Sequence, residues 1–466
     1  MTQTFTLRLS MVALLLTAFS ISGLTQFTLQ GTVKDTKKQP IDGASIALKS
    51  TYYGTSSAAD GSFSFSFPDT GRKILLITMM GFKPFEKEII ITRPITEMEI
   101  ILKEEIIESK AVVITAGSFE AGDKKRATVL KSVDIVTTAG NQADLVSALK
   151  TLPGAQHVGE EEGLFVRGGT GAETKVFIDG MMVQNPFFSS VPDIAQRGRF
   201  SPLLFKGTNF SSGGYSAQYG QALSSALILE THDLPSRSEI NAIISSPQLS
   251  LMGQHLNKEK NASVGMNVTY SNLKYYFDVV PQKIAYSKAP EILNTELFAR
   301  RKVKGGLFKF YAYANTNEVG FEKQNIDKPT INDHFQLKNT NFFSTVVYAG
   351  KISDHWNLSA GASVSANKDN IEIISGTKDS IWKSFAPQIG NRLVQSKVTF
   401  ARYFSGLTKL YFGAEVQRVE DKIFASDSIP HIHLRDNYVA AYSEADIYYS
   451  ARLVQRIGMR LENSSL

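Results

Sequence analysis

The chain has 466 residues, 42% of them hydrophobic and 20% charged, which allows about three domains with a sizeable core and excludes a wholly disordered chain. It has no cysteine, so a disulfide scaffold, a thiolate metal site, a cysteine nucleophile and a lipid-bearing N-terminal cysteine are excluded. Lys and Arg number 50 against 44 Asp and Glu; the formal charge of +6 is too small over this length to indicate a nucleic-acid partner. The 34 glycines, 29 phenylalanines and 17 tyrosines point instead to turns and β-structure.

Residues 1–26 follow the grammar of a signal peptide. Arg8 precedes an apolar run over 11–19, and the small residues Ser20, Ser22 and Gly23 follow. Cleavage is expected between Ser20 and Gln26; the alternative is a short N-terminal anchor helix. No later stretch reaches about 18 consecutive apolar residues, which excludes a helical membrane protein but not a β-barrel.

Residues 27–103 read as a small β-sandwich. Apolar runs at 27–33, 44–48, 62–67, 74–79, 88–92 and 98–102 alternate with turn residues, and Asp60-Gly61 marks a tight turn. No catalytic group gathers there. The series Gly31-Thr32-Val33-Lys34-Asp35, Pro40-Ile41-Asp42-Gly43-Ala44, Asp60-Gly61-Ser62-Phe63 and Gly81-Phe82 resembles the carboxypeptidase-regulatory-like domain, with Phe82 where that family often has tyrosine. The resemblance implies a transthyretin-like sandwich without catalytic activity of its own.

Residues 104–117 form a polar connector ending in a β-prone run, Ala111, Val112, Val113, Ile114, Thr115 and Ala116. The run reads either as a linker or first strand, or as an extended segment that a partner captures at a sheet edge. It is similar to the TonB box of TonB-dependent outer-membrane receptors. That resemblance implies a TonB-type energy-coupling protein as partner.

Residues 118–232 read as a mixed α/β domain. Leu145, Leu149 and Leu152 at helical spacing predict a short helix over 141–152, stopped by Pro153-Gly154. A strand over 164–167 leads into a glycine loop, and strand 176–178 turns at Asp179-Gly180. The loop lacks the spacing of a phosphate-binding loop. Arg167 either binds an anion or braces backbone carbonyls or a carboxylate. Leu152-Pro153-Gly154, Val166-Arg167-Gly168-Gly169, Val176-Phe177-Ile178-Asp179-Gly180 and Gly213-Gly214-Tyr215-Ser216-Ala217-Gln218-Tyr219-Gly220 occur in this order ahead of a strand at 224–231. Together they resemble the plug domain of TonB-dependent receptors, and the resemblance marks Arg167, Gly168, Gly169, Asp179 and Gly180 as its motif residues. A plug beside a regulatory-like module resembles the SusC-like and related receptors of Bacteroidetes.

Residues 233–466 show period-two patterning. Trp356, Leu358, Ala360, Ala362 and Val364 alternate with Asn357, Ser359, Gly361, Ser363 and Ser365, and similar runs occur around 264–270, 308–315, 409–417 and 441–449. One polar and one apolar face on strands of about ten residues predicts a transmembrane barrel; the alternative is a soluble antiparallel sandwich. Segments 321–338 and 367–390 read as loops, Asp354-His355 and Ser405-Gly406 as short turns. His431 and His433 read as a loop or strand face, or as two metal ligands without a third. About eight to ten strands are expected against about 22 in the receptor barrels, which reads as a fragment, a truncated gene model or a split coding sequence, or else a complete smaller barrel.

The expected fold is mainly β: an N-terminal sandwich, an α/β plug and the first part of an antiparallel transmembrane barrel. The resemblance implies an outer-membrane receptor that imports an external ligand with energy coupled through TonB. Expected partners are the coupling protein, outer-membrane lipids, a small-molecule, glycan, peptide or metal-chelate ligand, and a surface lipoprotein. No catalytic residue, metal or cofactor is expected. The competing readings are a surface adhesin or structural barrel without transport, and a carbohydrate-processing enzyme using the acidic cluster Glu160-Glu161-Glu162.

Overall fold

The computed structural model describes residues 27–466 except 37, 50, 52, 69, 80, 81, 83, 84, 93, 94, 104–126, 131, 139–143, 153, 157–162, 195, 196, 378, 379, 405–407, 426–430 and 450–452. The expected leader, the run Ala111 to Ala116 and the acidic cluster at 160–162 fall outside these residues. The chain divides into two compact units, 1–108 and 109–466.

In the first unit, β1 (Phe27–Lys34), β4 (Ser62–Phe67) and β7 (Ile95–Ile101) form one sheet. The other contains β2 (Ser45–Leu48), β3 (Gly54–Ser56), β5 (Gly71–Thr78) and β6 (Phe85–Ile91). Leu29, Val33, Ile46, Leu48, Phe67, Leu75 and Ile77 fill the core between them. The Asp60-Gly61 turn forms as expected. Asp60 Oδ1 accepts from the Ser62 hydroxyl at 2.7 Å and its amide at 2.9 Å. Those bonds hold the Asp60 carboxyl below the usual carboxylate range. Gly31 is required by contact: a Cβ there would stand 2.1 Å from the Met98 carbonyl oxygen. Strand β3 carries no apolar run and was not legible.

The second unit opens with a mixed domain. Its five-stranded sheet has the order β12 (Met181–Val183), β11 (Thr174–Ile178), β14 (Ser225–Thr231), β13 (Phe205–Ser211), β8 (Ala127–Leu130). A small pair, β9 (Ala155–Gln156) with β10 (Phe165–Val166), and two short helices, α1 (Ser132–Thr137) and α2 (Leu145–Leu149), accompany it. Helix α2 is shorter than the predicted 141–152. Asp144 caps it by accepting from the Ser147 amide at 2.8 Å, and the chain tightens into turns after Lys150.

The remaining chain forms one 12-stranded antiparallel sheet, more strands than the eight to ten expected. Its strands are β15 (Glu239–Ser245), β16 (Gln248–Leu256), β17 (Ala262–Asn272), β18 (Ala285–Val303), β19 (Gly306–Gln324), β20 (Asn332–Ser353), β21 (Trp356–Thr377), β22 (Ser380–Phe385), β23 (Gln388–Tyr403), β24 (Lys409–Phe424), β25 (Ile432–Tyr448) and β26 (Val454–Ser464). A third helix, α3 (Lys274–Val279), sits between β17 and β18. Strands β20 and β21 reach 22 residues each. That is about twice the 9–11 residues that suffice for a strand to cross a bilayer. Most of 321–338 and 367–390, expected as loops, is strand instead: backbone pairing with a neighbour continues, and Phe321, Phe335, Leu337, Ile371 and Ile373 pack together there on the inward face. From β17 onward connections alternate in length. Those at 304–305 and 354–355 are tight, while 273–284 and 325–331 are longer. No helix among the described residues is long and apolar enough to cross a membrane, which says nothing of strands.

Candidate functional site

The two faces of the large sheet are inverted relative to a soluble protein. Val346 and Val416 are 48% and 50% exposed, while their strand neighbours Thr345 and Gln417 are each 2% exposed. Apolar side chains face outward and polar ones inward, where the mixed domain covers them. A water-soluble sandwich buries the opposite face. A membrane wall around a polar interior requires this one.

Pairing places a row of polar residues at one level of the inward face. Ser250, Thr269, Asn294, Asn315, Asn341, Asn367, Asn391 and Asp421 are successive register partners across β16 to β24. Their side chains bond along the row. Asn315 Nδ2 donates to Asn294 Oδ1 at 2.6 Å, Asn341 Nδ2 to Asn367 Oδ1 at 3.0 Å, and Asn391 Nδ2 to Asp421 Oδ1 at 2.7 Å. These bonds satisfy polar groups that burial would otherwise penalise.

The mixed domain docks on this row through Arg199, which is 4% exposed. Its Nη1 donates to Asn315 Oδ1 and to Asn339 Oδ1, both at 3.0 Å, and its Nη2 to Asn367 Oδ1 at 3.4 Å. Its Nε donates to the Asn185 carbonyl at 3.1 Å, and the guanidinium lies over the Phe188 ring. Nearby, the Ser189 hydroxyl donates to Asp369 Oδ1 at 2.7 Å and Gln184 Nε2 to Asp421 Oδ1 at 3.3 Å. Phe200 packs with Tyr313 and Phe343 of the wall, so one apolar core runs from domain to sheet.

A second contact joins the segment 213–221 to β23–β26. Lys397 Nζ donates to the Gln218 carbonyl, Glu444 Oε2 accepts from the Ala217 amide at 2.7 Å, and Arg460 Nη1 donates to the Ala217 carbonyl at 3.2 Å. Arg460 also meets Glu415 at 3.1 Å. Gly220 of the Gly213-to-Gly220 motif lies against the Arg460 guanidinium; a Cβ there would stand 2.3 Å from it.

The five motif residues fall into two places, separated by the length of β11. Asp179 and Gly180 have φ of +48° and +84° and make the two-residue turn between β11 and β12. Asp179 Oδ1 accepts from the Thr231 amide at 3.0 Å and lies 3.7 Å from Lys309 Nζ. Lys309 also bonds Asp233 at 2.9 Å, and Lys206 meets Asp233 at 3.0 Å. Burial alone would raise the Asp233 carboxyl, but Lys309 and Lys206 outweigh it and hold it low. Burial pushes the neighbouring Glu230 carboxyl up, against the pull of Lys206. Arg167, Gly168 and Gly169 sit at the other end. Arg167 has φ of +51°, its side chain is exposed, and its Nη1 reaches towards Gly213. A Cβ on Gly169 would stand 2.6 Å from Ser224 Cβ. His431 and His433 are engaged apart: His431 stacks on Phe424, and His433 Nε2 lies 2.7 Å from Glu420 Oε1.

Residues 29–114 match the CarboxypepD_reg-like domain, a match that runs past 103 into the connector. The TonB-dependent receptor SusC of Bacteroides thetaiotaomicron is 26% identical over 171 residues, which cover 34% of this chain and 16% of that protein. Among solved structures, the ferric-catecholate import receptor Fiu of E. coli K12 superposes with a TM-score of 0.53 at 15% identity, over 73% of this chain and 60% of that one. The copper transporter OprC gives 0.55 at 14% identity, over 73% and 55%. The chain thus spans less than two thirds of the receptors it matches. It carries a CarboxypepD_reg-like domain followed by the fold of TonB-dependent outer-membrane receptors, and part of it is similar in sequence to SusC.

Proposed function

We propose that this chain serves an outer-membrane receptor that binds an external ligand and imports it with energy coupled through a TonB-type protein. The observation that carries this reading is the mixed domain held against the polar face of an inverted sheet. That face binds the domain through amides, hydroxyls and a few charged groups, beside the apolar contact of Phe200 with Tyr313 and Phe343. Each such bond contributes about 1 kcal/mol net, more where a charge takes part. Bonds of this size can be broken one after another by force.

The route for that force is the segment containing residues 111–116, with the connector 104–117 leading into the domain 118–232. Strand β8 follows the segment in the chain and is the edge strand of its sheet, paired with β13 alone. It can be withdrawn without breaking the β11–β14 ladder. Ligand capture belongs to the end with the longer connections, and no covalent step is needed.

The test is binding of the 466-residue protein, in detergent or nanodiscs, to the soluble periplasmic domain of the source bacterium's TonB-type protein. Binding is expected for the intact chain and is expected to vanish on deletion of 111–116. Equal binding by the deletion protein contradicts the assignment and favours an adhesin-like barrel.

A further inference from the structure

The outward face of the sheet carries an arrangement that transport does not use. Aromatic side chains gather where the strands meet the tight connections. Phe308 and Tyr348 have ring centroids 4.8 Å apart, Trp356 meets Phe412 edge-on at 5.8 Å, and Phe400 stacks on Phe412 at 5.4 Å. Arg402 lies in this band as the register partner of Trp356. Its strand neighbour Ala401 is buried on the inward side, so Arg402 faces outward, and it is exposed. The guanidinium carbon sits 5.5 Å from the Trp356 ring centroid and 5.0 Å from that of Phe404. The segment is held by bonds from the Tyr403 amide to the His355 carbonyl and from the Phe404 amide to the Thr408 carbonyl, both 2.9 Å.

Arg402 makes no ion pair with a described residue, and its neighbours at 405–407 are Ser, Gly and Leu, which carry no carboxylate. A permanent cation is thus flanked by two aromatic rings at the edge of an apolar band. Aromatic rings favour the level of the headgroups. The guanidinium fork matches two phosphate oxygens, and the rings stabilise the cation from its faces. Arg301, the register partner of Phe308, adds a second exposed cation close to the tight connection at 304–305.

We propose that Arg402, Trp356 and Phe404 form a binding site for the phosphate of a glycerophospholipid in the leaflet at the tight-connection end. This rests on the sheet being a membrane wall, and the experiment separates the two ideas. The chain has two tryptophans, so Trp382→Phe leaves Trp356 as the sole reporter. The full chain is reconstituted in equal amounts of phosphatidylethanolamine and a phosphate-free glucosyl diacylglycerol, with bromine on the chains of one lipid or the other.

Brominated phospholipid is expected to quench Trp356 as if locally enriched about tenfold, the worth of one charge-assisted hydrogen bond. The preference is expected to vanish with Arg402→Gln and to persist in part with Arg402→Lys, which keeps the charge without the fork. Equal quenching by both lipids, or a preference that survives Arg402→Gln, overturns the site while leaving the wall intact. Quenching by neither lipid overturns the wall and the site together.

Discussion

Replacing Arg199 by alanine is expected to loosen the mixed domain from the wall by about 3 kcal/mol, a roughly hundredfold rise in its opening equilibrium. The side chain is almost fully buried and donates to three asparagine oxygens and a carbonyl. Its loss removes a charged donor from Asn315, Asn339 and Asn367, whose oxygens keep only amide donors from neighbouring asparagines, and leaves a void beside them. Hydrogen exchange reads this directly. Amides of β11 and β14 are expected to exchange faster, while those of β19–β21 keep their protection. Arg199→Lys retains the charge but reaches fewer acceptors at once, so most of the loss is expected to remain. Unchanged exchange in the alanine variant contradicts this role for Arg199.

Arg460→Ala is expected to act on the opposite side of the same domain with a similar magnitude, about 2–3 kcal/mol. It removes the bond to the Ala217 carbonyl and strips buried Glu415 of a partner 3.1 Å away. The segment 213–221 then loses the guanidinium packed on Gly220. Arg199 docks on asparagines of β19, β20 and β21 while Arg460 meets Ala217 and Glu415, so the double variant is expected to show the sum of the two effects within about 0.5 kcal/mol. Strong non-additivity in hydrogen exchange contradicts independent docking and points to a single cooperative seat.

Much of this fold was legible because burial imposes a period on each strand. The sandwich showed itself through apolar runs and the Asp60-Gly61 turn. The wall showed itself through runs such as Trp356 to Val364, whose polar members did turn inward. Strand ends were not legible. Beyond the outward apolar band a strand needs only a partner for its backbone, and polar stretches such as 325–331 or 367–370 give no sign of which they have. The asparagine row was hidden for a related reason. Asn294, Asn315, Asn341, Asn367 and Asn391 come together only once the register of five strands is known. Arg199 had no local signal, being an arginine in a loop beside Phe200. Arg167 drew notice through its glycines yet lies exposed, away from the polar row.

The central claim is that the sheet faces lipid with its apolar side and the docked domain with its polar side. Because the chain has no cysteine, single cysteines report without interference. The direct measurement places cysteine in turn at Thr345, Val346, Val416 and Gln417 of the protein in bilayers, and compares a membrane-confined maleimide with a water-soluble one. Cysteines at 346 and 416 are expected to react with the membrane-confined reagent, and those at 345 and 417 to resist it. Reaction of 346 and 416 with the water-soluble reagent alone contradicts the membrane wall.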